Sequence, residues 1–288
     1  MTVAPTARLW SIPLAMLIAG GGPRAHALGA QEWRTLESSR QLRSDAPATI
    51  RVEYAAGTIE FGPTTDGTLY RMKLRYDAER SAPVANFDAT ARTVTIGAHS
   101  APSAAWKSGT RGGNTLHAAV TTRVPLHLAL ELGAVRADVQ LGGIQLRGLD
   151  LRTGASELRL DVDSLNTESL EAFKLDVGAA DVEVRRGGNL RAAQIDANVG
   201  AGKLDYDLDG AWEGTTSFDA TVALGTLTLR VPPDVGLRVT ARMFLAGFKR
   251  AGLVKRGDSW YSPGYDDATR RADVRVTTVF GGFEVIRR

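Results

Sequence analysis

One phrase recurs along this chain and constrains its fold more than any other feature. In Phe173–Val184, read F-K-L-D-V-G-A-A-D-V-E-V, Leu175 and Val177 alternate with Asp176. A corner of small residues follows at Gly178-Ala179-Ala180, and Val182 and Val184 then alternate with Glu183. Alternation with period two marks a strand with one buried and one wet face. Glycine in the corner permits backbone angles that a β-carbon forbids.

The corner returns at Gly133, Gly154, Gly178, Gly200 and Ala223, in steps of 21, 24, 22 and 23 residues. Two looser copies centre on Phe244 and Val279, and the longer step between them holds an inserted loop, Trp260 to Tyr265. A period near 22 with glycine corners is what a stacked solenoid requires, because each coil has an apolar face that only its neighbours can bury. A leucine-rich repeat competes, since Leu141, Ile144 and Leu146 fit part of that template. It would need an Asn ladder and a helical return segment, and no helical periodicity runs between the corners. An antiparallel sandwich with evenly spaced hairpins is the other alternative. The reading is an all-β chain whose residues 116–288 form a parallel β-helix of roughly 22-residue coils.

Residues 31–100 read as a separate N-terminal β domain. Ala56 to Phe61 repeats the corner phrase of Leu224 to Leu229, and Leu69–Tyr76 and Arg92–Ile96 alternate like strands. The small, Gly-rich stretch 101–115 reads as a linker loop, with Trp106 either packed between the two parts or free for contact. Residues 1–30 read as an export signal: Arg8, an apolar core Leu9–Gly22, and an A-x-A site at Ala25-His26-Ala27. That core is 14 residues with Pro13 inside it, short of the roughly 20 that a spanning helix needs. The expected destination is the periplasm, the outer-membrane surface or the medium.

The chain has no cysteine, which excludes disulfides, thiol catalysis and lipid attachment at an N-terminal Cys. Its net charge of +3 does not point to nucleic acid. Arg8 and Arg24 leave with the signal, so 33 basic side chains (35 − 2) face 32 acidic ones. Both signs alternate on the outward strand positions, a solvated face rather than a phosphate footprint.

Residues that could carry chemistry are few. Asp205-Tyr206-Asp207-Leu208-Asp209-Gly210 has the D-x-D-x-D-G opening of a calcium loop. The competing reading puts Leu204, Tyr206 and Leu208 inward and the aspartates outward, spread by nearly 7 Å each along a strand. His99, His117 and His127 show no helical pairing or partner carboxylate pattern and read as plain surface or satisfied residues rather than ligands. No nucleophile elbow, P-loop or dinucleotide fingerprint occurs. Trp260, Tyr261 and Tyr265 on the inserted loop are the best contact candidates, for a glycan or an envelope protein. They could equally cap the open end of the stack.

These residues carry a family resemblance. V-E-Y-A-A-G-T-I-E-F-G at 52–62, with L-Y-R-M-K-L-R-Y and P-V-A-N-F-D-A-T-A-R-T-V-T-I after it, resembles the toast-rack N-terminal domain of bacterial envelope proteins. V-A-L-G-T-L-T-L-R-V-P, G-D-S-W-Y-S-P-G-Y and V-T-T-V-F-G-G-F-E-V are similar to the C-terminal domain of LiaF-like envelope-stress proteins and to adhesin-like β-solenoids. The resemblance implies a right-handed parallel β-helix, no catalytic residues, no cofactor, and a role as an adhesion, scaffold or stress-sensing module. LiaF-like regulators carry membrane helices ahead of this part, and this sequence lacks them. Two alternatives stay open: a carbohydrate-active β-helix enzyme, which would need outward carboxylates converging on one face, and a calcium-dependent adhesin.

Overall fold

Alternating strands with a small-residue break give bent strands, each with one leg on either side of the corner. The computed structural model describes residues 32–101, 113–250 and 252–288. The expected export signal, Trp106 and most of 101–115 lie outside the described residues. The strands are β1 (Trp33–Gln41), β2 (Ala48–Thr64), β3 (Thr68–Asp77), β4 (Ser81–Asp88), β5 (Thr93–Ser100) and β6 (Thr115–Thr121). The chain continues with β7 (Leu126–Gln140), β8 (Leu146–Thr153), β9 (Glu157–Asp161), β10 (Leu170–Arg185) and β11 (Ala192–Asp207). It closes with β12 (Gly214–Val231), β13 (Gly236–Arg250), β14 (Val254–Arg256), β15 (Ser259–Tyr261) and β16 (Arg270–Arg287). The fold is a parallel β-helix. β2, β7, the β8/β9 pair, β10, β11, β12, β16 and β13 stack in that order through parallel ladders.

The predicted corners fall into one column. Val177 pairs with Val199 and Ala179 with Ala201 on either side of Gly178 and Gly200. Val222 pairs with Thr278 and Leu224 with Phe280 on either side of Ala223 and Val279. The small residues are a packing necessity. A β-carbon on Gly133 would lie 2.2 Å from the Ala55 carbonyl oxygen, and one on Gly200 2.7 Å from that of Gly178.

The core is a set of stacked columns. One runs Ile50, Leu128, Leu149, Phe173, Ile195, Phe218, Val274, Val239. Another, on the second leg, runs Phe61, Val139, Leu160, Val184, Tyr206, Leu229, Val285. All of these are buried, each contributing roughly 1.5–3 kcal/mol of gross apolar stabilisation. Tyr206 sits with its ring edge-on to Phe218 at 5.1 Å, and its hydroxyl is buried with no hydrogen-bond partner among the described residues. Burial holds that phenol well above the usual range. We expect Tyr206→Phe to raise unfolding stability by about 1 kcal/mol in urea, because it removes an unsatisfied polar atom and keeps the ring. A loss of similar size would mean that the hydroxyl is bonded.

Three features differ from the sequence reading. The solenoid does not begin near Leu116: β2 already forms a coil, paired with β7 on one side and with β5 and β6 on the other. Gln31–Arg288 is one compact unit, so the 101–115 stretch does not separate two bodies among the described residues. Flat antiparallel strands look like a domain of their own in sequence, but here β3 and β4 pair onto β6 and β5 and close that end of the stack.

The second difference lies at the other end, where coil order departs from chain order. The copy centred on Val279 lies between β12 and β13, and the Phe244 copy is outermost. The third is a short amide ladder that the sequence reading did not find. It stands on the irregular side of the coils. The Asn166 side chain bonds the Leu146 N–H and C=O and the Leu190 C=O, and that of Asn189 donates to the Val162 C=O and accepts from the Ala211 N–H.

Candidate functional site

Outward side chains of a parallel stack sit in register with their counterparts one coil away, about 4.8 Å off. Charges of opposite sign therefore meet between coils. Arg51 bonds Glu131 at 2.8 Å, Arg136 bonds Glu157 at 3.0 Å, and Arg275 bonds Asp219 at 2.6 Å. Exposed pairs of this kind contribute about 0–1 kcal/mol each. Their consequence for chemistry is larger: the carboxylates are neutralised by neighbours instead of gathering.

The Asp205–Asp209 run shows this directly. Arg230 clasps both oxygens of Asp205 at 2.8 and 2.6 Å, and Arg288 bonds Asp207. Asp207 and Asp209 also accept the backbone N–H groups of Asp209 and Gly210 in the turn that ends β11. The three carboxylates do not converge, and among the described residues no group of three acidic or imidazole side chains could hold a metal ion.

The three histidines are satisfied side chains at the surface. Each has a carboxylate partner: His99 with Glu53 at 2.6 Å, His117 with Glu60 at 2.8 Å, and His127 with Asp150 at 2.8 Å. The partners come from adjacent coils, 46, 57 and 23 residues away, and no local sequence pattern encodes such pairs.

Trp260, Tyr261 and Tyr265 are half-buried against the C-terminal end of the stack. Trp260 stands edge-on to Phe248 at 6.2 Å with the Arg250 guanidinium 3.9 Å from its ring centre. Tyr261 meets Tyr265 edge-on at 5.1 Å and lies under Arg256. The Tyr265 hydroxyl donates to Asp273 at 2.6 Å, and burial together with that bond pushes its phenol up to about 12. β15, which carries Trp260 and Tyr261, pairs with Arg238 and Val239 of β13.

A long concave surface follows the corner column. The stacked corners from Ala55 to Gly200 form the floor of a trough of about 770 Å³. One wall is a row of polar residues, each two positions before its corner: Glu53, Glu131, Arg152, Asp176, Asn198 and Thr221. His99 closes one end. Along the wall, Asn198 donates to Asp176 at 2.9 Å and Arg152 stands 3.6 Å from the same carboxylate. The trough is the outward expression of the packing rule above, since the corners that cannot carry a side chain leave a channel. The alternation that sets the wall was visible in sequence. The channel was not, because it needs the stacking.

With this geometry in hand, the comparisons are specific about family. Residues 31–185, more than half of the chain, match the family model for the N-terminal domain of toast_rack, DUF2154. The chain belongs to the toast-rack N-terminal domain family. Among solved structures, a "putative cell adhesion protein" from Clostridium sporogenes ATCC 15579 matches at 12% identity and TM-score 0.44, over 88% of this chain and 100% of that one. A "putative adhesin" from Bacteroides fragilis NCTC 9343 matches at 11% identity and TM-score 0.38, over 89% and 98%. No curated protein matches significantly. No helix among the described residues is long and apolar enough to cross a membrane.

Proposed function

We propose that this chain is a non-catalytic, adhesin-like binding module of the cell envelope, and that its trough holds an extended glycan chain. The trough is the observation that carries the reading. Its floor crosses five coils, about 19 Å at the strand spacing, and each coil offers one polar side chain along the wall, with Thr221 of a sixth coil beyond them. A long hydroxyl-rich chain matches that repeat of donors and acceptors. Glycoside hydrolysis needs two carboxyl groups free to act as acid and as base or nucleophile. Here Glu53 is held by His99, Glu131 by Arg51, and Asp176 by Arg152 and Asn198, which supports binding without turnover. The signal-like segment at 1–30 supports a place beyond the inner membrane, in the periplasm, at the outer-membrane surface or in the medium.

The test is titration of the unit Gln31–Arg288 with soluble envelope polysaccharides, beside an Asn198→Trp variant. Asn198 points outward, so the tryptophan fills the trough and leaves the core alone. We expect affinity to drop by at least about tenfold, the equivalent of 1.4 kcal/mol, with an unchanged melting temperature. Equal affinity in both proteins, or no glycan binding by the parent chain, would remove the trough from the reading.

A further inference from the structure

The two ends of the stack are finished differently. At the N-terminal end β3 and β4 run antiparallel to β6 and β5 and cover that edge, and β1 pairs in turn with β3. At the C-terminal end β15 pairs only with Arg238 and Val239 of β13, with Thr240 bonded to Ser259 and Phe248 packed on Trp260 beyond them. From Ala241 to Arg250 the strand is paired on its β16 side alone among the described residues. The corner column changes character there as well. Where earlier coils carry glycine and alanine, the last three carry Leu224, Phe280 and Leu245, stacked in register, with Phe244 beside them. Their exposures are 58%, 44%, 62% and 74%. Phe244 and Phe280 meet edge-on at 6.5 Å, so the trough rises into an aromatic and aliphatic ridge at this end. Val254 on β14, in the same terminal segment, is also exposed.

Charge says what covers the ridge. From Arg242 to Arg256 the sequence carries five basic residues and no acidic one, and Arg242, Lys249, Arg250, Lys255 and Arg256 are all exposed. Trp260 and Tyr261 lie among these cations. A second copy pairing edge to edge through β13 would set Arg242, Lys249 and Arg250 against their own kind, the arrangement by which edge strands resist self-association. Lys249 pairs with Glu284 at 3.4 Å and Arg256 with Asp266 at 2.8 Å, while Arg242, Arg250 and Lys255 have no carboxylate partner among the described residues. Exposed apolar side chains on the same segment as these cations, with Trp and Tyr nearby, fit a surface that is apolar inside and negative outside. We propose that the C-terminal end of the solenoid docks onto an anionic lipid surface, with Phe244, Leu245, Phe280 and Leu224 entering the headgroup boundary and the basic residues lying against the phosphates.

The experiment is co-sedimentation of the unit Gln31–Arg288, which lacks the signal segment, with vesicles of phosphatidylglycerol mixed with phosphatidylcholine and with vesicles of pure phosphatidylcholine. We expect binding to the mixed vesicles that weakens as salt is added, and little binding to the neutral ones. Phe244→Glu with Leu245→Glu should lower the partition coefficient by more than about tenfold while the melting temperature holds. Arg242→Glu with Lys249→Glu should remove the preference for anionic lipid. The trough variant Asn198→Trp should bind vesicles like the parent chain, so the glycan reading and this one fail separately. Equal partition of the parent and the Phe244/Leu245 variant would overturn the proposal. So would a lipid-free dimer, seen by sedimentation velocity, that the same variant abolishes, because a second copy would then be what covers the ridge.

Discussion

Gly225→Ala is expected to destabilise the chain by about 4 kcal/mol or more, or to prevent its folding, in the range reserved for named structural failures. Gly225 lies in the second column of the corner with Gly202 and Gly281, at φ of 146°, 118° and 118°. These are angles that an L-residue with a β-carbon avoids. Space is as limiting as angle. The added methyl would fall 1.9 Å from the Gly202 carbonyl oxygen, and a methyl on Gly281 would fall 1.8 Å from that of Gly225. Both obstacles are backbone, fixed by the parallel ladder, so no rotamer relieves them. Gly247→Ala is the matched control. It lies two residues past Leu245 in the outermost coil, and nothing lies within 4 Å of the added carbon. Its effect should stay within about 0.5 kcal/mol. Urea denaturation followed by circular dichroism measures both. Similar midpoints for the two variants would show that the column is not under the constraint described.

Asn166→Ala is expected to cost about 3–5 kcal/mol, since each buried backbone group left without a partner loses about 1–3 kcal/mol. Asn166 is 2% exposed. Its amide nitrogen donates to the Leu146 and Leu190 carbonyls at 2.7 and 3.2 Å, and its oxygen accepts from Leu146 N–H at 3.0 Å. One side chain thus supplies hydrogen bonds that the irregular side of the coil cannot take from a strand ladder. Native-state hydrogen exchange would localise the effect, with protection falling first at the Leu146 N–H, which donates to Asn166. A loss below about 1 kcal/mol would mean that water replaces the amide.

The corners and the inward positions were legible because both are local. Gly133, Gly154, Gly178, Gly200 and Ala223 each announce themselves within a dozen residues, and Leu204, Tyr206 and Leu208 alternate as inward residues do. What could not be read depends on which coil lies beside which. The Val279 copy has the same phrase whether it follows β13 or precedes it, and only the ladder places it against Leu224. The pairing of His117 with Glu60 depends on the same kind of information. The start of the solenoid was misjudged because β3 and β4 carry ordinary alternation, which says that they are strands and not that they run antiparallel across the end of a parallel stack. The pairing of Asn166 with Asn189, one coil apart, lies on the irregular side of the coils, where no strand alternation marks which side chains turn inward. The Asp205–Asp209 run needed Arg230 and Arg288, 25 and 81 residues further on.

The exchange of the last two coils has a consequence for how the molecule is made. A simple solenoid can add one coil at a time as the chain emerges, each new strand docking on the one before. Here β12 must wait for β16, whose Phe280 meets Leu224 across 56 intervening steps of chain (280 − 224), where the preceding pair, Leu224 and Ala201, spans 23. The larger loop raises the entropic cost of closure and slows that contact. Until β16 is available, β13 has only the short β15 to join. Docking of β16 therefore commits two coils in one step, and that strand works as the latch between β12 and β13.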